Sequence, residues 1–206
     1  MGTIVPMSEP DGKPSRREQI LAAAADLFAG AGFGGVSVGD IGSAVGISGP
    51  ALYKHFAGKD AILAELLVGI SEELLREGRA RVALADGDPV TALQALVDWH
   101  VSFALDHPAL ITIQSRDLDR LTEPERRRVR GLQHDYVETW VDVLRRRSPG
   151  LDAQRARAAA HAAFGLINST PHSARLGRSE MMRLLGDMAV AALDAATDRA
   201  PAQRAL

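Results

Sequence analysis

The sequence predicts an all-α protein, and three observations lead to that prediction. Apolar residues recur at spacings of three and four, as Leu21, Ala24 and Phe28 do near the start of the chain, which places them on one helical face. Val and Ile rarely alternate with polar residues, although a half-buried strand would show that pattern. Aromatic residues make up only 4% of the chain. We therefore expect about nine helices and no sheet.

Capping residues and breakers set the expected bounds of these helices. Ser15 and Glu18 have the spacing of a capping box, and Ser37 with Asp40 repeats it. Nine of the 19 glycines lie between positions 30 and 58, so the elements there should be short and joined by tight turns. The expected helices lie at about 16–31, 38–45, 49–56, 59–82, 89–106 and 108–115, from the Thr122 cap to about 147, and at about 151–168 and 179–197. Residues 169–173 should form a connection between the last two.

Composition excludes several classes of function. The chain has no cysteine, which excludes a disulfide scaffold, thiol catalysis and thiolate metal sites. The net charge is −2, and the start of the chain shows neither a secretory signal nor a myristoylation motif. The six histidines are scattered, and none of the common hydrolase, phosphate-loop or zinc motifs occurs. We expect a soluble cytoplasmic protein that is not an enzyme and needs neither metal nor cofactor.

Residues 38–56 have the pattern of a helix-turn-helix. Two short predicted helices flank Gly46, which can adopt the positive φ that the turn requires. Their small core should consist of Ile41, Val45, Ile47, Leu52 and Phe56. The second helix would then turn its remaining residues outward, on a face suited to a DNA major groove.

About 45 residues around this motif resemble the DNA-binding domain of the TetR/AcrR family of transcriptional regulators. The most specific part is Leu52-Tyr53-Lys54-His55-Phe56, followed by Lys59 at the start of the fourth helix. The resemblance implies DNA phosphate contacts by Tyr53, His55 and Lys59, and base contacts by Ser48, Gly49, Pro50, Ala51 and Lys54. Ser37, at the start of the second helix, is a further phosphate candidate. Arg16 and Arg17, with Lys13, are further candidates for contacts with phosphates or with the minor groove. Gly39 and Gly49 lack the longer side chains of many relatives, so backbone contacts or DNA shape should contribute to sequence recognition.

The rest of the chain agrees with this family in length and helical character. Residues 1–14 contain several Gly and Pro residues and no apolar periodicity, so they should form a flexible arm. The resemblance implies a helix-turn-helix domain (15–60) followed by a ligand-binding and dimerisation domain (61–206). Large or polar residues on aliphatic faces are candidates for the ligand pocket: Trp99, His100, Phe103, Gln114, Tyr136, Trp140, Phe164 and Asn168. Small and apolar faces of the last two long helices are candidates for the dimer interface: Ala156, Ala160, Ala163, Phe164, Ile167, Met181, Leu184, Leu185 and Met188.

These features lead to one function and one alternative. The chain is expected to be a homodimeric repressor that a small, largely apolar or amphipathic effector releases from a palindromic double-stranded DNA operator. The alternative is a helical ligand-binding or interaction protein whose helix-turn-helix no longer binds DNA. The few long side chains available for base contacts favour the alternative, whereas the specificity of the motif favours the regulator.

Overall fold

A computed structural model describes residues 14–198 of the 206-residue chain. Within this range the chain forms ten α-helical segments, two short 3-10 turns and no strand, which confirms the all-α prediction. The helices are α1 (Arg16–Ala31), α2 (Val38–Ala44), α3 (Gly49–Leu52), α4 (Lys59–Leu84), α5 (Pro89–Asp106), α6 (Pro108–Asp117), α7 (Glu123–Arg147), α8 (Ala153–Ile167), α9 (Thr170–Ser173) and α10 (Arg178–Asp198). Lys13 and nearly all of the expected arm lie outside the described residues.

All nine expected helices are present, with differences at two places. Helix α3 ends at Leu52 rather than near residue 56, because the chain continues in turns in which Lys54 N donates to Ala51 O at 3.2 Å. Helix α9 occupies the stretch expected to be a connection. Its second residue is Pro171, whose missing N–H costs nothing in the first turn of a helix. Both differences concern single helical turns, where sequence signals for helix and turn are similar.

The two predicted capping boxes are present. Ser15 N donates to Glu18 Oε2 at 2.6 Å, and Glu18 N donates back to Ser15 Oγ at 3.3 Å. In the second box, Ser37 N donates to Asp40 Oδ2 at 2.8 Å, and Asp40 N donates to Ser37 Oγ at 3.1 Å. Each box satisfies amides that would otherwise lack acceptors at the start of a helix.

Contacts within the chain define two compact units. The first contains the described residues up to Glu73 together with Asp106–Gly131, and the second contains Leu74–Leu105 and the described residues from Leu132 onward. Helices α4 and α7 each contribute residues to both units. The functional division expected from the sequence, at residue 60, stays a prediction.

In the first unit, α1 is the central helix. Its buried face packs against α2 and α6, and α2 packs against α3. Ile20, Phe28, Ile41 and Leu52 are fully buried there, and the burial of one such side chain contributes about 1.5–3 kcal/mol. This core therefore holds the short helices α2 and α3, which are too short to be stable alone.

In the second unit, α8 and α10 pack against each other, and α5 and α7 supply the largest buried side chains. Arg147 of α7 pairs with Asp194 of α10, and Arg157 of α8 pairs with Glu138 of α7 at 2.7 Å. Among the described helices of both units, none combines the length and the apolar character needed to cross a bilayer.

Candidate nucleic-acid interface and aromatic cluster

Two glycines allow α2 and α3 to form the predicted helix-turn-helix. Gly46 has φ 71°, in the left-handed region that favours glycine. Gly42 is buried on α2, and a Cβ there would lie 2.8 Å from the Ile47 carbonyl oxygen. The Ile47 amide donates to the Gly42 carbonyl at 2.9 Å, which closes the turn over the helix. Side chains at positions 42 and 46 would therefore disturb the turn.

Residues 48–55, the recognition segment, include every residue expected to contact bases. Tyr53 is 58% exposed, and Lys54 is exposed beside it. Neither of these side chains makes a hydrogen bond or ion pair within the described residues, so both are available to a partner. Leu52 and Phe56 are buried on the opposite side and anchor the segment in the core. The remaining residues are exposed or half-buried: Ser48, Gly49, Pro50, Ala51 and His55.

The start of the recognition segment exposes main chain rather than long side chains. Ser48 Oγ accepts a hydrogen bond from Ala51 N at 3.4 Å and so caps α3. A Cβ built on Gly49 would have Gly39 Cα as its nearest neighbour, at 3.9 Å. Gly39 and Gly49, the two positions without a side chain noted in the sequence, are thus adjacent. Lys54 is the one long cationic side chain within the segment, consistent with the expectation of backbone and shape recognition.

Ser37 and Asp40 bind each other at the start of α2. Ser37 Oγ donates to Asp40 Oδ2 at 2.7 Å, in addition to its role in the capping box. The hydrogen bonds from Ser37 lower the pKa of Asp40 below its ordinary value. The phosphate contact expected of Ser37 stays a prediction, but its hydroxyl hydrogen is already donated to a carboxylate.

The two arginines of α1 hold other parts of the first unit together. Arg16 Nη1 donates to Val45 O at 2.8 Å, where α2 ends. Arg17 Nη1 donates to His55 O at 2.6 Å, and its Nε donates to Glu65 Oε1 at 2.9 Å. These bonds tie α1 to the end of α2, to the recognition segment and to α4. Their expected phosphate contacts stay predictions, and both guanidinium groups are already engaged within the protein.

Lys59 also binds main-chain carbonyls. Its Nζ donates to Phe33 O at 2.9 Å and to Val36 O at 3.0 Å, and it lies 4.4 Å from the centroid of the Phe33 ring. The first residue of α4 is thus fastened to the turn that leads into α2. An ammonium has three N–H donors, so one remains for the phosphate contact that the resemblance implies.

Sequence reasoning did not identify a polar cluster at the end of α6. Asp117 is buried, with Arg116 Nη2 at 3.0 Å and Arg120 Nε at 2.9 Å from its carboxylate oxygens. Arg116 also donates to the main-chain oxygens of Phe28 and Ala29 at the end of α1. The cluster therefore holds α6 against α1. The i, i+3 spacing of Asp117 and Arg120 was visible in the sequence, but the burial of the carboxylate was not.

In the second unit, five of the predicted pocket residues form one aromatic cluster: His100, Tyr136, Trp140, Phe164 and Asn168. Ring centroids of its four aromatic members lie 4.9–6.2 Å apart. His100 Nδ1 lies 3.1 Å from Tyr136 Oη, and His100 Nε2 lies 3.1 Å from Asn168 Oδ1. Burial lowers the pKa of His100 to about 4 and raises that of Tyr136. Both groups are therefore uncharged at neutral pH.

The other three predicted pocket residues are placed differently. Trp99 packs against Phe103 on α5, with ring centroids 5.8 Å apart. The Arg81 guanidinium lies 4.2 Å above the Trp99 ring. Gln114 lies on α6, which belongs to the first compact unit. Its membership of a ligand pocket stays a prediction.

The expected dimer residues are mostly core residues of the chain itself. Six have no more than 4% of their surface exposed: Ala156, Ala160, Ala163, Ile167, Met181 and Leu185. These six side chains are thus covered within the single chain, and their part in a dimer interface stays a prediction. Small residues lie here because α8 and α10 pack closely on this side. Leu184 and Met188 are 43% and 47% exposed, and Phe164 is half-buried.

Comparison with known proteins then decides the family. Residues 20–66 match the profile of bacterial regulatory proteins of the tetR family, and residues 86–172 match the tetracyclin repressor-like C-terminal domain. The repressor KstR2 of Rhodococcus jostii is 32% identical over 144 residues, which is 69% of this chain and 70% of that protein. The chain belongs to the tetR family.

A further relative and two solved structures are similar to this chain in sequence and in fold, respectively. The activator FasR of Mycolicibacterium smegmatis is 28% identical over 79% of this chain and 72% of its own length. The structure of KstR2 from Mycobacterium tuberculosis has a TM-score of 0.76 at 24% identity, covering 89% of this chain and 96% of that one. A tetR regulator from Bordetella parapertussis has the same TM-score and identity and covers 86% of this chain and 95% of its own. The protein is a ligand-responsive, DNA-binding transcriptional regulator, and these relatives are regulators rather than enzymes.

Proposed function

We propose that this tetR regulator is a homodimeric cytoplasmic repressor, without catalytic activity or cofactor, that a small effector releases from a palindromic operator. The names of the KstR2 relatives support repression, although FasR is named an activator. The observation that carries the proposal is the recognition segment, which is exposed on one side and anchored by buried Leu52 and Phe56 on the other. Two such segments, one per protomer, would enter successive major grooves about 34–36 Å apart.

The recognition segment supports a division of labour at the DNA. Tyr53 and His55, with Lys59 and the arginines of α1, would contact phosphates, which position the protein without selecting sequence. Ser48, Gly49, Pro50, Ala51 and Lys54 would face base edges, where Lys54 can donate to guanine acceptors and the apolar residues can contact thymine methyl groups.

A gel shift with the DNA upstream of the protein's own gene tests the proposal. We expect specific retardation, and we expect Tyr53→Phe to weaken binding to all sequences by about tenfold, because the homodimer loses two hydrogen bonds of about threefold each. Ala57→Ser, at an exposed position just beyond the segment, is a matched control that should change nothing. Absence of specific retardation in every ligand state would favour the alternative, a helical ligand-binding protein with a non-functional helix-turn-helix.

The exposed side of α8 and α10 supports dimerisation. Leu184 and Met188 lie there with small residues that allow close approach of a second pair of helices: Ala158, Ala162, Gly165, Ala191, Ala192 and Ala195. Sedimentation should give a dimer at micromolar concentration, and Met188→Glu should give a monomer. Leu84→Glu is the control, because Leu84 is 84% exposed at the end of α4. A monomeric wild-type protein would contradict the proposal.

The aromatic cluster supports an effector site in the second unit. AibR, of similar fold at 20% identity and a TM-score of 0.70, was solved with isovaleryl coenzyme A and operator DNA, covering 84% of this chain and 97% of that one. By analogy, a ligand at the cluster would shift α4, which begins at Lys59 and carries Arg81 beside Trp99. The coupling must be reciprocal, so operator DNA should weaken effector binding by the factor by which effector weakens DNA binding.

A further inference from the structure

Both tryptophans of the chain, Trp99 and Trp140, have a buried indole N–H without a hydrogen-bond acceptor. Trp140 is fully buried at the centre of the aromatic cluster, in edge contact with His100, Tyr136 and Phe164. Its N–H is close enough to the Tyr136 hydroxyl to oppose the rise in that group's pKa, yet it makes no well-formed hydrogen bond. A buried donor without a partner costs about 1–3 kcal/mol, so its presence needs an explanation.

Both ring nitrogens of His100, which packs against Trp140, are already engaged. His100 Nε2 faces the Asn168 side-chain oxygen, so this nitrogen is the donor, and Nδ1 then accepts from the Tyr136 hydroxyl. The Tyr136 oxygen keeps lone pairs after this donation, but it makes no well-formed hydrogen bond with Trp140 Nε1 in this arrangement. The cluster consequently has a donor to spare at Trp140, and a ligand that satisfies it must bring an acceptor.

The surroundings also decide the charge of that ligand. Burial keeps His100 and Tyr136 in their uncharged forms, and it would disfavour a carboxylate at the same place in the same way. The cation on this side, Arg81, lies over the Trp99 ring and forms an ion pair with Glu77. A buried anion would have to compete with Glu77 for that guanidinium.

We propose that the aromatic cluster binds an uncharged, largely apolar ligand through a carbonyl oxygen that accepts a hydrogen bond from Trp140 Nε1. A ketone, an ester and a thioester share this chemistry. The proposal rests on the proposed function only in taking this ligand to be the effector. The rings of Phe164 and Tyr136, stacked 5.7 Å apart at 12°, are the apolar walls that the ligand would contact.

Three probes of equal chain length test the chemistry on the full-length protein: 2-nonanone, 2-methyl-1-nonene and nonanoate. The alkene replaces the carbonyl oxygen by a methylene group, and nonanoate carries a negative charge. Equilibrium dialysis should rank the ketone above both. Methyl octanoate and S-methyl octanethioate, compared with the ketone, then identify which carbonyl class binds best. The proposal is overturned if nonanoate or the alkene binds as tightly as the ketone.

Trp140→Phe removes the N–H and keeps an aromatic ring. We expect it to weaken binding of 2-nonanone by about threefold to tenfold, the worth of a hydrogen bond, without weakening the alkene. Trp99→Phe is the matched control, since it removes the other unpartnered indole N–H and should leave the ketone unaffected. It also makes Trp140 the only fluorophore of its kind, so the ketone should change the remaining tryptophan emission. Equal losses for ketone and alkene in Trp140→Phe would show that Trp140 only shapes the site, and would overturn the proposal.

The DNA experiment separates this inference from the proposed function. If 2-nonanone binds through Trp140 but never releases DNA, the ligand chemistry stands and the assignment of the cluster as the effector site fails. If nonanoate binds more tightly and releases DNA, the proposed function stands and this inference fails.

Discussion

In the first compact unit the cations of α1 and α4 donate to main-chain carbonyls, whereas in the second unit two indole N–H groups are buried without an acceptor. Arg16, Arg17 and Lys59 thereby hold the ends of short helices that could not keep their positions alone. The aromatic cluster around His100 instead leaves the Trp140 N–H unsatisfied and excludes charge.

The difference separates a rigid part from a responsive part. Where polar groups are paired inside the protein, a change of backbone geometry costs those bonds, so the recognition segment is held in one arrangement. Where a buried hydrogen-bond donor lacks an acceptor, a ligand that brings an acceptor stabilises the liganded state selectively. We therefore expect substitutions in the two regions to have different signatures.

The largest expected effect is a pH dependence of stability that originates at His100. The folded protein protonates this side chain only near its lowered pKa of about 4, whereas the unfolded chain does so near 6.5. Between these values the unfolded state binds more protons, so the free energy of unfolding falls as the pH falls. The full loss is about 3 kcal/mol, because one pKa unit corresponds to about 1.4 kcal/mol.

Urea unfolding at pH 7, 6, 5 and 4 measures this effect. His100→Gln should remove most of the pH dependence in this range and leave the part that comes from His107, whose pKa is also lowered by burial. His134→Gln, at an exposed position on α7, should leave the profile as in the wild type. A wild-type profile that stays flat from pH 7 to 4 would contradict the idea that the cluster excludes charge.

On the DNA-binding side, Asp117→Asn should lower the free energy of unfolding by about 2 kcal/mol, because it weakens a buried carboxylate's bonds to two half-exposed arginines. The control is Asp119→Asn. Asp119 is 85% exposed and lies 3.6 Å from Arg130, so its loss should cost at most about 0.5 kcal/mol. Denaturant midpoints of the two variants provide the measurement, and equal shifts would mean that the α6 cluster does not hold the unit together.

Two glycines of α4 allow a sharper comparison within one helix. A Cβ on Gly78 would lie 2.6 Å from Tyr136 Cε2, whereas a Cβ on Gly69 would meet nothing within 4 Å. Gly69→Ala should therefore stabilise the protein by about 0.5–1 kcal/mol through helix propensity. Gly78→Ala should destabilise it by about 1 kcal/mol, because overpacking exceeds that gain. The melting temperatures of the two variants measure this difference. If both substitutions stabilise the protein, the Tyr136 ring moves aside for the added Cβ at little cost.

The sequence predicted local features well and pairings poorly. Helices, capping boxes and the turn at Gly46 depend on neighbours within four residues, and these predictions agree with the structure apart from α3 and α9. The bond between Arg17 and Glu65 joins residues 48 positions apart. No local pattern could have shown that this arginine is engaged within the protein.

The same limit applies in the second unit, where the sequence shows which residues are apolar but not which residues they contact. His100 stood out as a polar residue on an apolar face, and it indeed lies in the aromatic cluster. The apolar positions of α8 and α10 exceed what one buried face needs, but periodicity does not say which face is turned inward. The small residues Ala156 and Ala160 pack inside the chain, and Met188 lies outside.

The smallest expected effects distinguish two lysines at the DNA-binding end. Lys59→Met removes hydrogen bonds to the Phe33 and Val36 carbonyls, so it should cost about 1 kcal/mol of stability. Lys54→Met removes an exposed side chain and should change stability by less than about 0.5 kcal/mol.

In DNA binding, each lysine that meets a phosphate contributes about 0.9 to the slope of log affinity against log salt. A Lys59→Met variant with lowered stability and an unchanged slope would show that Lys59 only fastens α4 to the turn before α2, and that its third N–H does not reach a phosphate. Lys54→Met should relax base preference instead, so an unchanged ranking of operator variants would remove Lys54 from the base-reading group.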